Sequence, residues 1–157
     1  MADLTVTPST AGMHELVLLV VDDVLCGIEL IQIQEISKVP DITTVHHAPA
    51  YVRGVVKLRG QIVTVIDLRS TFGFPPLDLN DDQRLVVVNW SGENIGLLVD
   101  RVRDIALAEV GDVLEPPANI SSINGAFFSG IYPMEQELVA ILRLTELLSR
   151  DTHAALA

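Results

Sequence analysis

Aromatic residues supply only 4% of this 157-residue chain, and cysteine occurs once. A core so poor in rings must be filled by Val, Ile and Leu, whose branched members favour sheet over helix. The lone Cys26 excludes an internal disulfide. Its apolar setting, Val24-Leu25-Cys26-Gly27-Ile28, marks it as a small buried hydrophobe in a reducing compartment. Long apolar runs are missing as well. The longest candidate, residues 16–21, stops at Asp22-Asp23, whereas a membrane span needs about 20 residues. The residues before it carry Asp3 and Glu15 but no Lys or Arg, unlike the positive start of a secretory leader. A cytoplasmic protein without direct membrane insertion is expected.

Positive charge is scarce, with 10 bases against 21 acids and a net charge of −11. Neutralising phosphates requires clustered cations, so a nucleic-acid partner is excluded. The scarcity is uneven. Residues 1–76 carry a net −3 and residues 77–157 a net −8, while Arg53, Lys57, Arg59 and Arg69 crowd into a stretch whose one acid is Asp67.

Reaction chemistry is also missing. No phosphate-cradling glycine motif or nucleophile elbow occurs. The adjacent His46 and His47 would point to opposite sides of an extended segment, and no metal-ligand spacing accompanies them. Asp78, Asp81 and Asp82 flank Asn80 without the glycine or closing glutamate of a calcium loop, so an acidic linker is expected. No enzyme, metal or cofactor follows from these residues.

What is present is a repeat. Leu16-Val17-Leu18-Leu19 matches Leu85-Val86-Val87-Val88 at an offset of 69, which also carries Gly27 to Gly96, Ile33 to Val102, Glu35 to Asp104 and Ile36 to Ile105. At an offset of 76, Tyr51-Val52 falls on Phe127-Phe128, Gly54 on Gly130, Ile62-Val63 on Leu138-Val139 and Leu68 on Leu144. The difference of seven reads as one insertion in the second copy around residues 115–124, a Pro-, Ser- and Asn-rich loop. The first copy spans about 14–76 and the second about 83–150, with tails at 1–13 and 151–157.

Each copy opens with a hairpin, 16–21 with 24–30 and 85–90 with 95–99, turning at Asp22-Asp23 and at residues 91–94. A segment with helical spacing, Leu30, Ile33, Ile36, follows. Then comes the clearest element, a second hairpin turning at Arg59-Gly60, where alternation places Lys57 and Arg59 opposite Val56 and Leu58. Asp67 can cap a helical turn stopped by Gly73. Short strands in this number suggest a small closed barrel per copy, the two sharing a hydrophobic seam, with strand exchange between copies open.

Glu35-Ile36, the stretch from Ala48-Pro49 through Tyr51-Val52-Arg53-Gly54 to Leu58-Arg59-Gly60-Gln61, then Ile66-Asp67-Leu68-Arg69 and Gly96-Leu97-Leu98-Val99-Asp100-Arg101-Val102, resemble CheW-type chemotaxis coupling proteins over about residues 14–150. The resemblance implies an all-β fold of two SH3-like five-stranded β-barrels with short helices. It also implies a non-catalytic adaptor joining the cytoplasmic coiled-coil tips of chemoreceptors to the regulatory domain of a CheA-type histidine kinase. Arg59 and Gly60 match the family's functional Arg-Gly, while Ile33, Glu35, Arg53 and Gly54 match receptor- or kinase-contact positions. Gly96, Val102 and Gly130 line up with contact positions of the second barrel. Lys57 stands where the family usually has Asn, and Thr64 where Pro is common; both departures bear on partner identity.

At the 76 offset Arg59-Gly60-Gln61 aligns with Glu135-Gln136-Glu137, so the two hairpin tips carry opposite charge. A basic and an acidic docking end are expected. The alternatives are a related adaptor serving a pilus, gliding or biofilm pathway, or a β-barrel binding a small ligand.

Overall fold

The computed structural model describes residues 12–148. Runs of Val, Ile and Leu form strands throughout, as suits a pleated surface buried on one or both faces. The first half gives β1 (Met13–Val21), β2 (Val24–Glu29), β3 (Ile33–Ser37), β4 (Val52–Leu58), β5 (Gln61–Asp67) and the one-turn helix α1 (Leu68–Phe72). The second gives β6 (Arg84–Trp90), β7 (Glu93–Val99), β8 (Arg101–Glu109), a short pair β9 (Asn119–Ile120) and β10 (Ile123–Asn124), β11 (Phe128–Pro133), β12 (Leu138–Leu142) and α2 (Leu144–Leu148).

The halves do not make one sheet each. One five-stranded sheet has the order β11-β12-β2-β1-β8, the other β3-β6-β7-β5-β4. Each half has given its first hairpin to the other's sheet. The junctions repeat in register: Thr64 and Val65 lie opposite Ile95 and Gly96 where β5 runs parallel to β7, and Ala140 and Ile141 lie opposite Cys26 and Gly27 where β12 runs parallel to β2. These are the same positions at offsets of 76 and 69. The same register shift falls between Val52 and Gly54 and between Phe128 and Gly130.

Each sheet curls until its ends approach. Arg59, on the β4–β5 turn at one end, reaches Glu35 of β3 at the other, at 2.9 Å. In the second sheet Arg103 of β8 meets Glu137 beside β12 at 2.8 Å, and Tyr132 Oη of β11 donates to the Leu107 carbonyl of β8 at 3.4 Å. The curled faces enclose small cores. Val56, Val63, Val65, Leu85, Val87 and Leu98 fill one; Leu16, Leu18, Ala108, Val139 and Ile141 fill its counterpart. Between the sheets lies the largest core, the expected seam, built from the opposite faces of both sheets and from both helices. Phe72 of α1 crosses it to pack on Phe127 and Phe128 of the other half, with ring centroids 5.8 and 5.7 Å away.

Several local expectations need correction. Leu30, Ile33 and Ile36 do not share a helix: residues Leu30–Gln32 make one 3-10 turn and β3 begins at once. Pairing with β6 supplies more hydrogen bonds than so short a helix could. The second copy's first turn is Ser91-Gly92 alone, both with positive φ (52° and 80°), and β7 starts at Glu93. Two left-handed residues match the twist of a hairpin, so a longer turn is unnecessary. β1 begins at Met13, ahead of its apolar run, because pairing with β8 extends it to Met13 opposite Glu109. The insertion is split. The bridges Thr43 to Val55 and Leu114 to Ile131 are equivalent, so two extra residues precede Leu114 and five follow it. The lengthened stretch after Leu114 carries the β9–β10 hairpin in place of a featureless loop. Of the expected tails, residues 1–11 and 151–157 lie outside the described residues, as do residues 149–150 at the end of the second copy.

Asp67 caps α1 as its sequence suggests, accepting from Arg69 N at 3.0 Å, and Gly73 ends the helix at φ 88°. Cys26 is fully buried, and burial pushes its thiol up from 9.0 to about 12. At pH 8 only about one such thiol in ten thousand is ionised. Thiol reagents are therefore expected to label the native protein negligibly and the urea-unfolded protein fully, as a colorimetric thiol assay would read. The unfolded thiol loses its proton near pH 9 while the folded one holds it to about 12. The unfolded state thus binds fewer protons in that window, and this group's contribution to stability falls as pH rises through it.

Candidate functional site

The β4–β5 hairpin is buried along its strands and exposed at its tip. Leu58 pairs with Gln61, leaving the two-residue turn Arg59-Gly60 with φ of 53° and 78°. Gly60 meets nothing within 4 Å of where a Cβ would sit, so its role is conformational. Arg59 accepts the same left-handed geometry and is held by the Glu35 carboxylate, which it approaches through Nε at 2.9 and 3.1 Å. Glu35 raises the guanidinium's already high affinity for its proton, first by the hydrogen bond and then by charge. The side chain of Arg59 remains 78% exposed, while Glu35 is 23% exposed. The pair presents its cation outward from a fixed position.

The local excess of bases has a structural reason. Arg53 is half-buried and binds Asp67 at 2.8 Å, reaching the Leu77 carbonyl at 3.3 Å. Arg69 is almost enclosed: it binds Asp100 at 2.6 Å, Asp22 at 3.0 Å and the Pro75 carbonyl at 2.8 Å. Two of the four bases therefore tie the crossing segment between the halves to the sheets. Lys57 alone, exposed on the outer face opposite Ile62, has no ion pair among the described residues.

The second tip is a counterpart with its signs exchanged. Glu135 is exposed there, and Glu137 pairs with Arg103. In the first half the acid sits on the edge strand and the base on the hairpin; in the second the base sits on the edge strand and the acid on the hairpin. Ile33 and Val102 hold equivalent places at the start of β3 and β8, and both pack half-buried on the seam.

Three of the four expected contact glycines, Gly54, Gly96 and Gly130, are buried, and Gly60 is exposed. A Cβ on Gly54 would lie 2.2 Å from the Thr43 carbonyl oxygen, one on Gly130 2.4 Å from Val113 Cγ1, and one on Gly96 2.7 Å from Leu85 Cγ. Their place is explained by close packing. Gly96 also departs from the expected barrel: hairpin exchange puts it beside Val65, in the sheet that bears Arg59. Arg59, Glu35, Gly60, Arg53, Gly54 and Lys57 thus gather on one hairpin and its neighbours. Val102, Gly130 and Glu135 belong to the other sheet.

Sequence reasoning missed a groove beside β12. It has a volume near 430 Å³ and is lined by Val24, Leu25, Pro117, Ile120, Leu138 and Ala140 together with Asp23 and Glu115. The alternation Asn119-Ile120 and Ile123-Asn124 around Ser121-Ser122 was the available signal for the hairpin that walls it. Among the described residues no cluster of three His, Cys, Asp or Glu side chains could hold a metal, and no helix is long and apolar enough to cross a membrane.

Two interlocked curled sheets, with ion-paired hairpin tips as their most prominent polar features, define a protein-docking β module. The chain belongs to the CheW-like family, whose domain model matches residues 15–152. It is 33% identical over 132 residues to the chemotaxis protein CheW of Helicobacter pylori, covering 84% of this chain and 79% of that one. It is 30% identical over 145 residues to a probable chemotaxis protein CheW of Rhizobium etli, covering 92% and 93%. The crystal structure of the scaffolding protein TtCheW from Thermoanaerobacter tengcongensis superposes with a TM-score of 0.77 at 28% identity, covering 83% of this chain and 84% of that one.

Proposed function

We infer that this chain is a chemotaxis coupling scaffold, acting by contact and not by catalysis. One observation carries the reading: the CheW-like match runs through both sheets, the seam and the hairpin tips alike. The whole described architecture is therefore of the coupling type. The partners assigned are a CheA-type histidine kinase, through its regulatory domain, and the cytoplasmic coiled-coil tip of a chemoreceptor. Contact falls to the outward groups, Lys57, Arg59 and Gly60 at one tip and Glu135 at the other. Ile33, Glu35 and Val102 support them from the half-buried strand starts. Arg53, Gly54, Gly96 and Gly130 act at one remove, by fixing the backbone that carries the tips. Work of this kind places the protein in the cytoplasm, at receptor arrays on the inner face of the membrane. The same contacts would serve a pilus, gliding or biofilm pathway with its own receptor.

Arg59→Glu tests the reading. The side chain is mostly solvent-exposed, so the melting temperature should stay near that of the unaltered protein while capture of the kinase or receptor from native cytoplasm drops by about tenfold or more. Recovery of both partners at undiminished yield would remove Arg59 from the contact surface. Failure of the unaltered protein to capture either would overturn the assignment.

A further inference from the structure

Three polar residues are buried among the described residues: Thr64, Asp67 and Gln83. Two of them are satisfied. Asp67 binds Arg53 and caps α1, and Gln83 accepts from Asn80 N at 2.9 Å. Thr64, 7% exposed, makes no hydrogen bond through its hydroxyl to any described residue. A buried hydroxyl without a partner destabilises the fold, and valine would fill the same space without that penalty. The strand around it reads Ile62-Val63-Thr64-Val65-Ile66, and the equivalent position in the second half is Ala140. Nothing in the packing of β5 calls for a hydroxyl there.

Thr64 lines a recess with a volume near 680 Å³, together with Gln34, Gln61, Ile62, Asn89, Glu93 and Asn94. Three of its amides are chained: Asn89 Nδ2 donates to Asn94 Oδ1 at 3.4 Å, and Asn94 Nδ2 donates to Gln61 Oε1. That leaves Gln61 Nε2 as a donor and Asn89 Oδ1 as an acceptor, beside a hydroxyl that can be either. The recess adjoins the basic tip, since Gln34, Gln61 and Asn94 also line a smaller hollow with Arg59 and Glu35. Glu93 turns away an anion. Lys57, directly across the ladder from Ile62, and Arg59 turn away a cation. An uncharged group holding both a donor and an acceptor fits what remains.

We propose that this recess receives a carboxamide side chain, Asn or Gln, of the coupling partner that meets Arg59, and that the Thr64 hydroxyl selects it. The inference rests on the coupling function inferred above and adds what the partner must carry at that point. A hydroxyl unpaired in the free protein and paired in the complex favours the complex alone, so it lends specificity while weakening the free fold. A partner with an apolar side chain there would bury Thr64 and the neighbouring amides without hydrogen bonds, and would be rejected for that reason.

Two variants of the full chain test it, each read by the melting temperature of the free protein and by capture of kinase and receptor. Thr64→Val should melt about 2 °C or more above the unaltered protein, yet bind about tenfold more weakly the same partner that Arg59→Glu loses. Thr64→Ser keeps the hydroxyl and gives up a methyl, so it should melt lower while capture holds. A hydroxyl with only a structural role would move both readouts in the same direction. The structure of the captured complex should place an Asn or Gln amide within hydrogen-bonding distance of Thr64 Oγ1. A charged or apolar side chain at that point would overturn the proposal. So would a Thr64→Val protein that melts lower than its parent, or one that binds undiminished while Arg59→Glu does not; the coupling function would stand in either case. Failure of the unaltered protein to capture kinase or receptor would overturn the coupling function itself, and this proposal with it.

Discussion

Gly54→Ala should lower stability by about 3–5 kcal/mol, enough to bring the melting temperature down by on the order of 10 °C. Two effects act together. Gly54 holds φ 147°, a conformation L side chains rarely adopt, and its added methyl would sit 2.2 Å from the Thr43 carbonyl oxygen and 2.9 Å from its carbon. Thr43 cannot retreat cheaply, because its N–H and C=O both bond Val55 at 2.8 Å. Strain and clash therefore fall on a bridge that ties the long loop before β4 to the hairpin. Gly60→Ala is the control on the same hairpin. There the methyl meets open space and only the positive φ is penalised, at about 1 kcal/mol. Thermal denaturation of the two variants side by side decides the matter: equal losses would mean that the loop yields and the packing argument fails.

The second large effect is expected at Arg69. Its side chain is 11% exposed, and Arg69→Ala leaves the carboxylates of Asp22 and Asp100 facing each other without their shared cation. Asp22 is 37% exposed and Asp100 16%, and Asp100 keeps the Asp22 N–H as a donor. Removing the enclosed cation of this partly buried cluster therefore costs about 2 kcal/mol, chiefly from the charges left behind. The Pro75 carbonyl also loses its donor. Arg69→Ala combined with Asp100→Asn should recover part of the loss, since one stranded charge is then gone. Urea titration of the single and double variants reads this directly. A single variant as stable as the parent would show that the cluster is solvated and contributes nothing.

The arginine result bears on how much of this protein its sequence discloses. The repeat was legible because buried positions leave a record in residue type: Gly27 and Gly96 recur at one offset, Gly54 and Gly130 at another. The hairpin tip was legible because Arg59-Gly60 interrupts an alternating run. Hairpin exchange was not, since Val and Leu on β1 pack equally well against either half, and only long-range pairing chooses between them. The basic stretch was only half legible. Arg53, Lys57, Arg59 and Arg69 look alike in sequence, and their roles separate only when Asp22, Asp67 and Asp100 are brought alongside. The groove escaped because its walls come from three distant segments, around Val24, Pro117 and Leu138.

The traded hairpins also dictate when the protein can become itself during synthesis. The sheet that bears Arg59 needs β7, so it cannot be completed until residue 99 has left the ribosome. The other sheet, begun with the first described strand, waits for β12 and residue 142. A nascent chain must therefore keep β2 without its eventual neighbour β12 until residue 142 has been made, and no cut between the halves would release a piece holding a finished sheet.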